Sequence, residues 1–188
     1  MEIISSEIQA KEVLRNYNDI VLVPTMGNLH DGHISLVNKA KELGKTIVSS
    51  IFVNPLQFGF NEDFDSYPRT LENDLEQLER AGSHFVFHPS EDILEDIKKR
   101  KAPSLSRKMC GKTRPEHFDG VVTIVGKLFE VVRPQFAVFG LKDYQQFLII
   151  KNLITLSDFE IEIIGSPIVR EQDGLAMSSR NNLLTHDN

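Results

Sequence analysis

The stretch at residues 23–36, VPTMGNLHDGHISL, sets two imidazoles three positions apart, His30 and His33, among Gly27, Asp31 and Gly32. Such residues could contact a phosphate, ligate a metal, or simply shape a polar turn. The glycines lack Cβ and allow close backbone approach to a phosphate. A following helix would aim its first N–H groups and the positive end of its dipole at the same anion. His33 falls near the first turn of that helix, where an imidazole can donate to phosphate either neutral or as a cation. It could then steady negative charge growing on phosphorus. Metal ligation fits less well. Helical zinc pairs usually stand at i and i+4, and no Cys or further His is close in sequence. The stretch matches neither G-x-x-x-x-G-K-[ST] nor G-x-G-x-x-G, so P-loop and dinucleotide readings lose ground.

Further along, FGLKDYQQ (139–146) places Lys142 at the start of a helix, where a cation calls for an anionic partner such as a nucleotide phosphate. Asp143 suits that helix end, as a cap or a ribose contact. MSSR (177–180) offers Arg180, whose planar fork can clamp a phosphate. Ser178 and Ser179 can donate to phosphate oxygens or cap a helix. Gln57 and Gln146 are neutral amides able to read the hydroxyl and carboxylate groups of a small substrate. Asn54 and Tyr67 could assist, and Arg114 could bind an anion. No Ser-His-Asp logic is evident, and Cys110 has no clear base beside it.

Alternating elements must position these groups. Helices are expected at 7–17, 34–44, 71–82, 120–134 and 142–157, with Thr70 as an N-cap and Gly44 and Gly82 as closing residues. Strands are expected at 20–24, 46–54, 84–89, 136–140 and 161–167. Residues 55–70 and 169–185 read as loops, and the basic, punctuated run at 91–115 as a mobile, exposed segment. At least five strands alternating with helices argue for an α/β fold with a doubly wound parallel sheet. The polar loops after four of those strands then converge at one sheet edge, where such folds bind ligands.

Composition sets outer bounds. The chain has 188 residues, 40% hydrophobic with 12 Phe, enough for one sizeable core. A net charge of −6 argues against nucleic acid as the main partner. No apolar run is long enough for a membrane span, and the polar start lacks the parts of a secretory signal. A single cysteine excludes an internal disulfide framework and fits a cytoplasmic setting.

Taken in order, PTMGNLHDGH, SIFVNPLQF, YPRT, FGLKDYQQ and DGLAMSSRN resemble the pantoate–β-alanine ligase family across residues 23–182. The resemblance implies a Rossmann-like fold of the HIGH-motif nucleotidyltransferase type. It implies ATP-dependent condensation of pantoate with β-alanine through a pantoyl adenylate, releasing pyrophosphate and AMP. Position by position, Met26, Gly27, Asn28, Leu29, His30, Asp31, Gly32 and His33 match one ATP-binding segment, with His33 as the proton donor. Gly140, Leu141, Lys142 and Asp143 match a second, Val169 an adenine-side contact, and Met177 to Arg180 a mobile phosphate-binding loop. His33, His30, Lys142 and Arg180 are the implied catalytic set. Gln57 and Gln146 match substrate contacts, with Asn54, Tyr67 and Arg114 beside them.

Mg2+ is implied on the ATP phosphates, held by phosphate and water. A homodimer is also implied. Glu116 stands where glycine is expected, its carboxylate near Arg114. Leu141 stands where a polar residue is expected, with its backbone as the contributor. The family continues into a smaller C-terminal domain. Residues 1–176 are therefore expected to form the nucleotide-binding domain. Residues 177–188 would be the mobile loop and hinge, with Thr185 as an N-cap. A related adenylyltransferase taking a phosphorylated substrate would need cations where Gln57 and Gln146 stand, and a binding-only sensor module would need neither amide.

Overall fold

The computed structural model describes residues 1–44, 46–181 and 184; the Thr185 cap falls outside them. Six strands form one sheet: β1 (Glu2–Ile4), β2 (Ile20–Thr25), β3 (Thr46–Ile51), β4 (Phe85–Phe87), β5 (Phe136–Gly140) and β6 (Glu162–Ser166). All pairings are parallel, in the order β1-β4-β3-β2-β5-β6. The chain therefore runs outward from β2 through β3 to β4, then returns to the other side of β2 for β5 and β6. The ends of β2 and β5 diverge at that reversal, which opens a crevice there.

The helices are α1 (Glu7–Leu14), α2 (Asp31–Glu42), α3 (Leu71–Ala81), the single-turn α4 (Cys110–Thr113), α5 (His117–Val132) and α6 (Tyr144–Thr155). Side chains on a strand alternate between faces, and this sorts two cores. Val21, Val23, Ile47, Val86 and Val138 pack with Leu36, Val37 and Ala40 of α2 and Leu78 of α3. Ile20, Leu22, Val48, Phe87 and Ala137 pack on the opposite face with Ala10 and Leu14 of α1, the apolar α5, and Ile149 and Ile150 of α6. Helices thus cover both faces of a buried parallel sheet. Among the described residues no helix is long and apolar enough to cross a membrane.

β1 adds a sixth strand to the at least five expected, too short at three residues to leave an alternating pattern. α2 begins at Asp31 rather than 34, and α5 at His117 rather than 120. The 91–115 segment is largely exposed, as expected, but it is anchored to the domain rather than loose. Gln145 donates to the carbonyls of Leu105 (2.9 Å) and Lys108 (2.7 Å) and accepts from the Cys110 amide (3.0 Å). Ile93 is buried, and the Arg100 amide bonds to Thr123 Oγ1 of α5 at 3.0 Å.

Candidate active site at the sheet switch point

β2 ends at Thr25, and the chain turns through Gly27 into α2. Asp74 of α3 governs this turn. Its carboxyl accepts the amides of Asn28 (2.9 Å) and Leu29 (2.8 Å) and the Thr70 hydroxyl (3.1 Å), and the residue is 1% exposed. Gly27 has φ 78, and a Cβ there would lie 2.9 Å from Asp74 Oδ2. Glycine is thus required for both conformation and space. Thr70 holds the N-cap position of α3, but its hydroxyl serves Asp74 rather than the helix.

The two histidines cap their own helix. His30 is the N-cap residue, and its Nδ1 accepts the Gly32 amide at 3.1 Å. His33 Nδ1 reaches back to accept the His30 amide at 3.3 Å. This is a capping box built from imidazoles. An Nδ1 that accepts carries no proton, so each neutral ring holds its proton on Nε2. Both rings line the crevice, their centroids 4.1 Å apart. Burial, then the His30 and Lys142 charges, lower the His33 pKa to about 3. Burial and Lys142 also lower that of His30. Of the two states open from sequence, the neutral donor therefore holds near pH 7 for His33.

The same bonds correct the expected phosphate cradle. The amides of Asn28, Leu29, His30 and Gly32 are already paired inside the protein. Gly27, Asn28, Leu29, Asp31 and Leu141 do not line it, whereas Met26, His30, Gly32 and His33 do. Asn28 ties the turn to the 177–180 loop: its carbonyl accepts from Ser179 Oγ at 2.9 Å, and its amide side chain donates to the Ser179 carbonyl at 3.2 Å.

Across the switch point, β5 delivers Gly140, Lys142 and Asp143 to the crevice. Lys142 sits in a 3-10 turn (Leu141–Asp143) just before α6, with Nζ 3.6 Å from Asp143 Oδ2. The Leu141 side chain packs away from the crevice, where Gly165 of β6 leaves room for it, within 2.8 Å of the position a Cβ would take. Gln146, Val169, Met177, Ser178, Ser179 and Arg180 complete this side.

After β3, a 3-10 turn (Pro55–Gln57) presents Asn54 and Gln57. Asn54 Nδ2 donates to Gln57 Oε1 (3.0 Å) and to the Gly120 carbonyl (3.2 Å). Gly120 lets α5 approach this turn, since a Cβ would lie 2.0 Å from the Leu56 carbonyl oxygen. Gln57 Nε2 lies 3.1 Å from Met26 Sδ. Tyr67 is buried on the same wall, and the apolar floor is Phe52, Val121, Ile124, Val125 and Leu128.

Two arginines are held by neighbouring carboxylates that sequence reading missed. Arg180 pairs bidentately with Asp63, Nε to Oδ2 at 2.7 Å and Nη2 to Oδ1 at 2.8 Å. Arg114 Nε donates to Glu62 Oε1 at 2.6 Å. These hydrogen bonds hold both carboxyls below their ordinary pKa. Glu116 is not Arg114's hydrogen-bonded carboxylate. It occupies φ 67 before α5, a backbone position that favours glycine. His117 and Asp74 were missed as well. A signal existed for Asp74, which lies at i, i+4 and i+7 with the buried Leu78 and Ala81.

The match to the Pantoate-beta-alanine ligase family spans residues 2–188. The chain belongs to the pantoate–β-alanine ligase family. Within it, the chain is 55% identical over 181 residues to a pantothenate synthetase of Psychrobacter sp. (strain PRwf-1), covering 94% of this chain and 63% of the relative. A pantothenate synthetase structure from Thermus thermophilus superposes with TM-score 0.95 at 42% identity, over 100% of this chain and 69% of that one. A Francisella tularensis pantoate–β-alanine ligase, complexed with β-γ ATP and β-alanine, gives 0.93 at 36% identity, over 99% and 74%. The chain spans about three-fifths of the length of the curated relatives it matches.

Proposed function

We propose that the protein joins pantoate to β-alanine at the expense of ATP, through a pantoyl adenylate. One observation carries the reading. Two neutral imidazoles with Nε2–H donors and the Lys142 ammonium line the same crevice as the amides of Gln57 and Gln146. The cationic and N–H side suits a triphosphate. The amide side, over an apolar floor, suits a small acid with hydroxyls and a dimethyl carbon.

In the first step a pantoate carboxylate oxygen attacks the α-phosphorus, and pyrophosphate leaves. His33 Nε2–H and Lys142 stabilise charge building on the phosphoryl oxygens, while Arg180 and Ser178 hold the departing phosphates. In the second, the β-alanine amine attacks the acyl carbon and AMP leaves with the bridging oxygen. No covalent nucleophile is needed, and orientation alone can contribute roughly 7–11 kcal/mol to such transfers. Arg180 must exchange Asp63 for phosphate, which makes the 177–180 loop the movable part of the site.

Magnesium would enter with the nucleotide. Among the described residues no three His, Cys, Asp or Glu side chains gather to hold a cation. Phosphate oxygens and water would then be its ligands, and no step is assigned to it. Assembly as a homodimer in the cytoplasm belongs to the same proposal.

Pyrophosphate exchange tests the reading. With the full-length protein, labelled pyrophosphate should enter ATP when pantoate is present and β-alanine absent. Exchange driven by phosphopantetheine and not by pantoate would contradict it.

A further inference from the structure

We propose that His117 is a positioning residue that fixes Gln57 for substrate recognition, by donating from Nδ1 to the Gln57 carbonyl while accepting at Nε2 from Arg114. This rests on the function proposed above and extends it to a residue outside the set that the motifs single out.

The ring lines the crevice and its tautomer follows from its partners. Nδ1 lies 2.8 Å from the Gln57 carbonyl oxygen, which can only accept, so Nδ1 carries the proton. Nε2 lies 3.3 Å from Arg114 Nη1, which can only donate, so Nε2 is bare. Arg114 is anchored from behind by Glu62 and also reaches the Gln57 carbonyl, at 3.4 Å. The result is a relay, Glu62 to Arg114 to His117 to Gln57. It fixes the backbone of Gln57, while Asn54 and Met26 fix its amide.

The charged groups around the ring are Arg114, Glu62 and Asp143, and the Phe118 ring meets it edge-on with centroids 4.8 Å apart. A proton on Nε2 would set a second donor against the guanidinium, so the relay requires the neutral ring. Burial is the main cause holding the His117 pKa below its ordinary value; the Gln57 carbonyl opposes the shift and Arg114 adds to it.

The test has two arms in the full-length protein. In the first, His117→Phe should raise the KM for pantoate or β-alanine about 10-fold, with the KM for ATP changed less than about 2-fold. His117→Asn, whose amide N–H reaches the same carbonyl, should restore most of that loss. An equal rise for all three substrates, or no rescue by Asn in a protein of unchanged melting temperature, overturns the proposal. In the second arm, 15N spectra of histidine-labelled wild-type protein near neutral pH should show His117 neutral with its proton on Nδ1. The Nε2–H tautomer or an imidazolium overturns the relay even if the phenylalanine variant fails to fold. This arm does not depend on turnover. A wild-type protein inert toward pantoate but showing the Nδ1–H tautomer would sink the ligase reading and support the relay.

Discussion

Replacing His33 with asparagine in the full-length protein is expected to lower kcat/KM by about 10²- to 10⁴-fold, with the fold intact. The two ring nitrogens have separable jobs. Nδ1 accepts the His30 amide and closes the capping box, whereas Nε2–H is the donor left for the reaction. An asparagine oxygen can take the first role and nothing in that side chain can take the second. Glutamine, which places an N–H near the Nε2 position, should recover part of the rate. Steady-state kinetics of the two variants decides this, and an asparagine variant within about 3-fold of wild type would assign His33 to structure alone.

The same ring ties stability to pH. Its ordinary pKa of 6.5 falls to about 3 in the folded protein. Above pH 6.5 both states leave it neutral, and its contribution is fully present. As pH falls from 6.5 toward 3, the unfolded chain binds a proton that the folded chain refuses, and stability is lost at up to about 1.4 kcal/mol per pH unit. The wild-type advantage over His33→Asn should therefore shrink as urea unfolding is moved from neutral to mildly acidic pH. An advantage that stays constant would mean the ring titrates normally in the fold.

The largest stability effect is expected at Asp74. Alanine there strands the amides of Asn28 and Leu29 in a buried turn. At roughly 1–3 kcal/mol for each unsatisfied buried donor, the cost is about 2–6 kcal/mol, a large share of the roughly 5–15 kcal/mol that usually holds a domain together. Because that turn delivers both histidines, the KM for ATP should also rise in whatever protein folds. Urea titration measures the first effect, and a loss below about 1 kcal/mol would show that the turn is held by other means.

The interior strands and the helix ending at Gly82 were legible because β-branched runs, apolar periodicity and a left-handed glycine are local signals. Their alternation also revealed which loops share a sheet edge. β1 was not legible, since its pairing with β4 is a tertiary choice made by three residues. The early start of α2 was hidden because histidine is an unusual capping residue. At the site, the motif residues could be named from sequence, but what their atoms do could not. The amides expected to cradle phosphate are used by Asp74 and by the histidines themselves. Arg180 meets Asp63 from 117 positions away, and Arg114 meets Glu62 from 52. Such pairings become visible only once the sheet brings the loops together.

The adenylate is the centre of the account, and an isotope test addresses it most directly. Pantoate carrying oxygen-18 in its carboxyl group would be turned over by the full-length protein with ATP and β-alanine, and the products analysed by mass. If the carboxylate attacks the α-phosphorus, each AMP carries one labelled oxygen and orthophosphate carries none. Label in orthophosphate, or AMP without label, would contradict the account.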